Sequence, residues 1–371
     1  MTFLAQAVQV RPAGTEVAII GDGKRSLAIG SFLSLSGHSV RLWSPDGKSP
    51  AECEIRQRQA SVVHKRAKTH FATVTKNLAS VLEDAPIVIL SSPTTEYGAI
   101  LACLTPYLAN GQTVVLANAP LGAALQFSKG LGEMRPELKV NTLEMGSLFD
   151  FVKIEGETVI VSGPRVKVSI CGISRNETRR GLSVASNLWS GLVPTSNILE
   201  RGFTEAERLL RPALRLFYML GTQSGEIRDL SQSLTDGLVS VIAGIGLELQ
   251  SIARAFGVVV PGLGQILTDY YGASGDSFKN IVLDAGQSMI SEESVVLRED
   301  SLERLRHEVG ETFVLLSAFA TLSRLPVPLV DAVIELASAV TNCSLRREGR
   351  VLSDLGLVGF DVQEVVELVN A

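Results

Sequence analysis

The stretch Glu16-Val17-Ala18-Ile19-Ile20-Gly21-Asp22-Gly23-Lys24-Arg25-Ser26-Leu27-Ala28 decides the fold. An apolar strand runs straight into Gly-x-Gly, and a helical stretch follows at 26–36. Gly21 permits the tight turn that ends the strand, and Gly23 has no side chain to keep a ligand off the backbone. The first helical turn then offers amide N–H groups without intrahelical partners, at the positive end of the helix dipole. Directly after a buried strand, such an anion site suits the pyrophosphate of a dinucleotide. Ser26 stands where the usual fingerprint has its third glycine, and it is small enough to keep the helix near the sheet. Gly21, Gly23, Lys24, Arg25 and Ser26 are therefore the first cofactor-binding candidates; the bland alternative is a glycine turn with no ligand.

Outward from this unit, strand-like runs at 16–21, 39–43, 87–91, 113–117, 139–143, 157–161 and 166–172 alternate with helical stretches at 26–36, 97–107, 122–129 and 176–189. Strand, helix and strand in turn, with nearly all-apolar strands, predict a Rossmann-like α/β domain: a doubly wound parallel sheet covered on both faces. From Thr204 the apolar spacing turns helical and stays so through 209–220, 238–256, 302–322 and 329–340. The chain thus divides into a dinucleotide-binding domain, 1–198, and an all-helical substrate domain, 199–371, with a Gly/Ser loop at 272–277.

The second strand ends Arg41-Leu42-Trp43-Ser44-Pro45-Asp46-Gly47-Lys48. A site preferring NAD(H) places an acid at this strand end to hold the ribose 2′-hydroxyl. Here Trp43 and Ser44 occupy it, with Arg25, Arg41 and Lys48 close in sequence. A hydroxyl beside basic residues tolerates a 2′-phosphate, which favours NADP(H) over NAD(H); Asp46, swinging back, would reverse that preference. Ser91-Ser92-Pro93-Thr94 and Asn118-Ala119-Pro120-Leu121-Gly122 follow two further apolar strands. Ligands of open α/β sheets bind at the carboxyl ends of strands, so Ser92, Pro93 and Asn118 are expected beside the nicotinamide half. Simple turn formation explains these Pro and Asn residues equally well.

Composition sets the outer limits. Of 371 residues, 46% are hydrophobic and 20% charged, a core-rich balance that suits two folded domains. The net charge of -5 gives no global pull toward nucleic acid or acidic membranes, and neither partner is expected. Cys53, Cys103, Cys171 and Cys343 lack CxxC spacing, which argues against a metal site or disulfide framework and suits a reducing cytoplasm. The first residues carry only Arg11 as a basic group and lack the cleavage site of a signal peptide. The stretch at 234–255 comes nearest to a membrane span, but Asp236, Glu248, Arg254 and its glycines make it read as a buried core helix. The basic segment 56–70, with His64 and His70, reads as a solvated helix face; binding of the adenosine phosphate or an RNA backbone is the sharper alternative. Apolar faces such as 329–340 would serve either a homodimer or intradomain packing.

Beyond these patterns, the chain resembles the opine dehydrogenases of the octopine/nopaline type over nearly its whole length. The loop 118–126 is similar to that family's Asn-Pro-Gly-x-x-Gly-Gly-Ala-Leu-Glu segment, and Glu144-Met145-Gly146-Ser147 to its Glu-Thr-x-Ser. Pro326-Val327-Pro328-Leu329-Val330-Asp331-Ala332 and Glu348-Gly349-Arg350-Val351-Leu352-Ser353-Asp354-Leu355-Gly356-Leu357 match further stretches. The resemblance implies joining of an amine or amino acid to a 2-oxo acid, with reduction of the imine by NAD(P)H in the interdomain cleft. It also implies a His, held by an Asp, as the acid/base of the helical domain.

At that His the sequence departs from the family. Between Asn197-Ile198-Leu199 and Pro212, the family's Thr-Asn-x-Asn becomes Thr204-Glu205-Ala206-Glu207, and its His becomes Arg211. Glu308 takes the place of the Asp, His307 lies beside it, and a family Arg becomes Lys153. Arginine stays charged in proteins, so Arg211 could anchor a carboxylate or polarise a carbonyl but could not exchange a proton. Arg211 with Glu308 could equally form a buried ion pair of purely structural use. His307 could supply the lost imidazole or simply face solvent, and Glu205 and Glu207 could read an amino or guanidino group or face solvent too. Tyr270 and Tyr271 could donate a proton or serve packing. The leading expectation is an NADPH-dependent reductase of an imine; a reductase of a preformed iminium and a non-catalytic NADP-binding homologue are the alternatives.

Overall fold

A computed structural model describes residues 14–59, 62–188, 191–221, 234–290 and 299–371. Its contacts divide the chain into two compact units, the first ending at Ile198 and the second beginning at Leu199.

The first unit is built on an eight-stranded sheet. Its order is β12 (Leu192–Pro194), β11 (Val168–Gly172), β8 (Asn141–Met145), β7 (Thr113–Ala117), β6 (Ile87–Leu90), β1 (Glu16–Ile20), β2 (Ser39–Trp43) and β5 (Thr73–Thr75). Neighbours from β8 through to β5 are parallel, β8 meets β11 antiparallel, and β11 and β12 are parallel. Chain order runs outward from β1 through β2 to β5 on one side, and from β6 through β7 to β8 on the other. The reversal between β1 and β6 opens a crevice beyond their carboxyl ends, where doubly wound sheets bind ligands. In β1, Val17, Ala18 and Ile19 are fully buried, as are Ile87, Val88 and Ile89 of β6. Each such Val or Ile contributes about 1.5–3 kcal/mol by leaving water. That requires cover on both faces, from α1 (Lys24–Leu35), α2 (Leu78–Leu82), α3 (Tyr97–Leu104), α4 (Ala123–Met134) and α5 (Arg175–Ala185). Glycine lets two of these helices lie close. A Cβ on Gly30 of α1 would stand 2.7 Å from the Phe71 ring, and one on Gly181 of α5 would stand 2.5 Å from Leu143 of β8.

Two expectations are corrected here. The run 157–161 does not join the main sheet; as β10 (Thr158–Ser162) it belongs to a second, four-stranded sheet ordered β4 (Val62–His70), β3 (Glu52–Gln59), β10, β9 (Phe151–Glu155). The basic segment read as a helix face is the antiparallel hairpin of β3 (Glu52–Gln59) and β4 (Val62–His70). Cys53 and Ile55 point into the core at 4% and 0% exposure, while Arg66, Lys68 and His70 are exposed. The segment therefore has a solvated face, but with the period of a strand.

The second unit is helical, from α6 (Ile198–Phe203) at the boundary through α7 (Glu207–Gly221), α8 (Asp236–Ala255), α9 (Leu263–Tyr271), α10 (Phe278–Ile290), α11 (Glu299–Leu322), α12 (Pro328–Thr341), α13 (Leu345–Glu348) and α14 (Val362–Asn370). Its core includes Phe319, which meets Phe256 edge-on at 5.2 Å and Phe203 at 6.3 Å between ring centroids. The stretch read as a buried core helix is α8, and it buries one face only: Leu238, Ile242, Ile245, Leu249 and Ile252 face inward, whereas Leu247 is 63% exposed. Among the described residues α8 is long and apolar enough to cross a membrane. Within the unit it is tied by Glu248, whose carboxylate accepts the amides of Leu329 and Val330 at 2.9 Å each and caps α12.

Candidate functional site

The glycine turn begins where β1 stops. Gly21 has φ +89°, a region L-residues rarely adopt, and its amide donates to the Trp43 carbonyl at 3.1 Å. Gly23 is the N-cap of α1 with extended backbone, and no side chain caps this helix. A Cβ built on Gly23 would meet nothing within 4 Å, so the space before the first helical amides is open. Ser26 is buried, packed near the turn as the missing third glycine would be. Across the crevice, at the end of β6, the Ser91 hydroxyl is buried without a hydrogen-bond partner among the described residues. An orphaned buried hydroxyl is costly, and a polar ligand group would relieve it. An open cradle, an uncapped helix start and an unsatisfied hydroxyl at one switch point fit a dinucleotide.

The other predicted contacts divide. Ser92 and Pro93 are half-buried and lead into a single 3-10 turn, Thr94–Glu96. Asn118 follows β7 with φ +55°, its amide 3.4 Å from the Gly146 carbonyl. Lys24 is exposed at the start of α1. The indole of Trp43 donates to the Lys76 carbonyl at 3.1 Å. Arg25 turns away from the second strand end, donating to Ser147 Oγ at 2.6 Å and to the Phe149 carbonyl at 3.3 Å. Arg41 donates to the Ser80 carbonyl at 2.9 Å and pairs with Glu16 at 3.2 Å. Ser44 is fully buried, its hydroxyl 2.6 Å from Asp22 Oδ2 and 3.1 Å from Asp46 Oδ1. The expected hydroxyl among cations is therefore a hydroxyl sealed beneath two carboxylates, and the ground for favouring NADP(H) is gone. Asp46 is held below the usual carboxylate range, chiefly by the Lys48 amide and, against some burial, by Ser44 and the Lys48 ammonium.

The Glu144–Ser147 motif has a bracing role that sequence reading missed. Glu144 is fully buried on β8, and its Oε2 accepts the Ala124 amide at 2.9 Å in the first turn of α4. Ser147 receives Arg25 of α1. The available signal was a single acid within the apolar run Leu143-Glu144-Met145.

In the second unit three of the four residues proposed for chemistry, Arg211, Glu207 and Glu308, are held by ion pairs. Glu207 pairs with Arg211 one helical turn on, and Glu308 is bound by Arg215 at 3.1 Å. Of the two readings of Arg211 and Glu308, the mutual ion pair does not form: Arg211 pairs with Glu207, and Glu308 with Arg215, one turn beyond Arg211 on α7. His307 is 38% exposed and stands 3.7 Å from Glu311, which Arg208 binds at 2.7 Å. Burial opposes the charge on Arg208, but the carboxylates of Glu311, Glu205 and Glu207 more than restore it. Arg201, fully buried, pairs with Glu205 at 3.3 Å. The Tyr271 hydroxyl accepts the Glu207 amide at 2.9 Å and donates to Glu205 at 3.2 Å. Burial, then Glu200, Glu205 and Asp269, push the Tyr270 phenol up, so it stays protonated. Lys153 lies on β9 (Phe151–Glu155), paired with Glu155 at 2.7 Å. Arg201, Arg208, Arg215 and Glu311 escaped the sequence reading; the i, i+4 spacing of Glu207, Arg211 and Arg215 was their visible trace.

Sheet order, glycine turn and uncapped helix together define the class: a Rossmann-type dinucleotide-binding fold followed by a helical C-terminal unit. Within it the chain is similar to an opine dehydrogenase. The opine dehydrogenase of Arthrobacter sp. (strain 1C) is 24% identical over 349 residues, covering 92% of this chain and 95% of the relative. The family described as NAD-dependent glycerol-3-phosphate dehydrogenase N-terminus matches residues 16–167. Among solved structures, octopine dehydrogenase in complex with NADH and agmatine superposes with a TM-score of 0.71 at 15% identity, covering 88% of this chain and 90% of that one. NADP+-bound yersinopine dehydrogenase superposes at 0.64 with 14% identity, covering 96% and 97%.

Proposed function

We propose that the chain is a pyridine-nucleotide-dependent oxidoreductase that reduces a C=N bond formed from an amine or amino acid and a 2-oxo acid. The observation that carries this reading is the turn at Gly21–Gly23, open in front of an uncapped helix at the reversal of strand order. The turn amides and the start of α1 would hold the diphosphate, and Ser91, Ser92 and Asn118 would line the neighbouring strand ends. When bound, a reduced nicotinamide supplies the hydride. The helical unit is given the substrate-facing role, as in the relatives it resembles.

Its residues limit the chemistry. Arg211 keeps its proton and is already neutralised by Glu207, so general acid catalysis does not fall to it. An iminium that arrives protonated needs no acid, only a site that orients it and excludes water. A preformed C=N is therefore the favoured substrate form. A second reading, a homologue that binds the dinucleotide without turnover, is favoured by the same Arg211–Glu207 pair. The four free cysteines suit a reducing cytoplasm.

The test is oxidation of NADH and NADPH with a panel of amines, amino acids and 2-oxo acids, and with preformed cyclic imines. Turnover on a cyclic imine is expected. Binding of dinucleotide with no turnover on any substrate selects the second reading. Arg211→His should then bring turnover on amine plus 2-oxo acid, because it restores a group that titrates near neutrality.

A further inference from the structure

We infer that Asp22, the residue between the two glycines of the turn, selects NAD(H) over NADP(H) by accepting the adenosine ribose 2′-hydroxyl. This rests on the glycine turn being the seat of the dinucleotide.

Asp22 follows β1 directly and reaches the end of β2, the neighbouring strand on the adenosine side of a doubly wound sheet. Its Oδ2 takes the hydroxyls of Ser44 at 2.6 Å and Ser49 at 2.9 Å. Its Oδ1 has no partner among the described residues, and the side chain is half-buried rather than sealed. A carboxylate fixed by two donors on one oxygen presents the other as a ready acceptor. A ribose diol can donate to it; a 2′-phosphate, with its added negative charge, has no proton to offer and is repelled. Asp46 reinforces the repulsion from the other side of Ser44.

The arginines that would grip a 2′-phosphate are placed elsewhere. Arg25 and Arg41 are held by Ser147, the Phe149 and Ser80 carbonyls, and Glu16. Lys48 is 3.7 Å from Asp46 and largely exposed. Lys24 at the start of α1 and Lys76, whose carbonyl accepts the Trp43 indole at the end of β2, are exposed point charges on flexible stems without the planar fork of arginine. The acid that an NAD-preferring site usually carries at the end of β2 is here supplied from the turn itself, with Ser44 of β2 as its support.

Calorimetric titration of the full chain with NADH and with NADPH tests this. NADH should bind tighter by about tenfold to a hundredfold, the range of one hydrogen bond to a charged acceptor. Asp22→Asn should shrink that ratio at least fivefold, weakening NADH and relieving NADPH. Ser49→Ala, a milder change that loosens the carboxylate, should shrink it partway and covers the case in which Asp22→Asn folds poorly. NADPH binding as tightly as NADH, or a ratio unmoved by either variant, overturns the role of Asp22 while leaving the turn as the dinucleotide seat. Binding of neither nucleotide overturns both.

Discussion

Gly21 and Gly23 are two residues apart and do different work. Gly21 is needed for its backbone, whereas Gly23 has an ordinary extended backbone and open space where a side chain would go. Gly23→Ala should therefore leave the denaturation midpoint almost unchanged, within about 0.5 kcal/mol, yet weaken dinucleotide binding tenfold or more. Gly21→Ala should cost about 1 kcal/mol in folding as well, since it forces φ > 0 on a residue with a Cβ. A Gly23→Ala protein that binds as the wild type does would remove the diphosphate from the turn. These glycines were legible because turn, strand and helix are contiguous in the chain. Ser44 was misread because its surroundings are not. Arg25 and Arg41 lie near it in sequence, but their guanidinium groups go to partners 122 and 39 residues away. Glu308 shows the same limit: its position was readable by register and the i, i+4 spacing of Glu207 and Arg211 was visible, but its pairing with Arg215, 93 residues away, was not.

At the scale of the element, Glu248 links two helices by satisfying the first amides of α12 from the side of α8. Glu248→Ala should lower stability by about 1–2 kcal/mol in urea denaturation, and Glu248→Gln, which keeps an acceptor, by less than half of that. An equal loss in both variants would mean that packing rather than capping is at stake. The apolar period of α8 was plain in sequence, but length and hydropathy overstated its burial, since one stripe is enough to anchor a helix. The hairpin of β3 and β4 failed in the opposite direction. Its inward residues, Cys53, Ile55 and Thr69, keep a strict period of two, but Arg, Lys and Glu fill the outward positions. Charge density masked the alternation, and a solvated face looks alike on a helix and on a strand.

For the molecule as a whole, acid should destabilise. Among the described residues, folding holds several carboxyls below their ordinary range: Asp46 chiefly by the Lys48 amide, Glu54 by Arg56, Glu137 by Arg135, Glu155 by Lys153 and Asp236 by Lys279. With folded values depressed, their contribution is present above the unfolded values near about 4 and is lost as pH falls through the folded ones. Glu177 runs the other way: burial raises it, so its contribution is complete below the unfolded value and lost as pH rises through the folded one. With these depressed carboxyls outweighing Glu177, the urea midpoint should drop between about pH 6 and pH 3, and a flat profile would contradict these assignments. The end of β8 carries a last implication. Glu144 steadies the first turn of α4, and Ser147, three positions on, steadies that of α1. One short segment after β8 thus holds the first turns of two helices that begin at the strand ends of the sheet. Glu144→Gln should therefore speed amide exchange at the first turn of α4, and Ser147→Ala at that of α1, while exchange elsewhere in the sheet stays as it is.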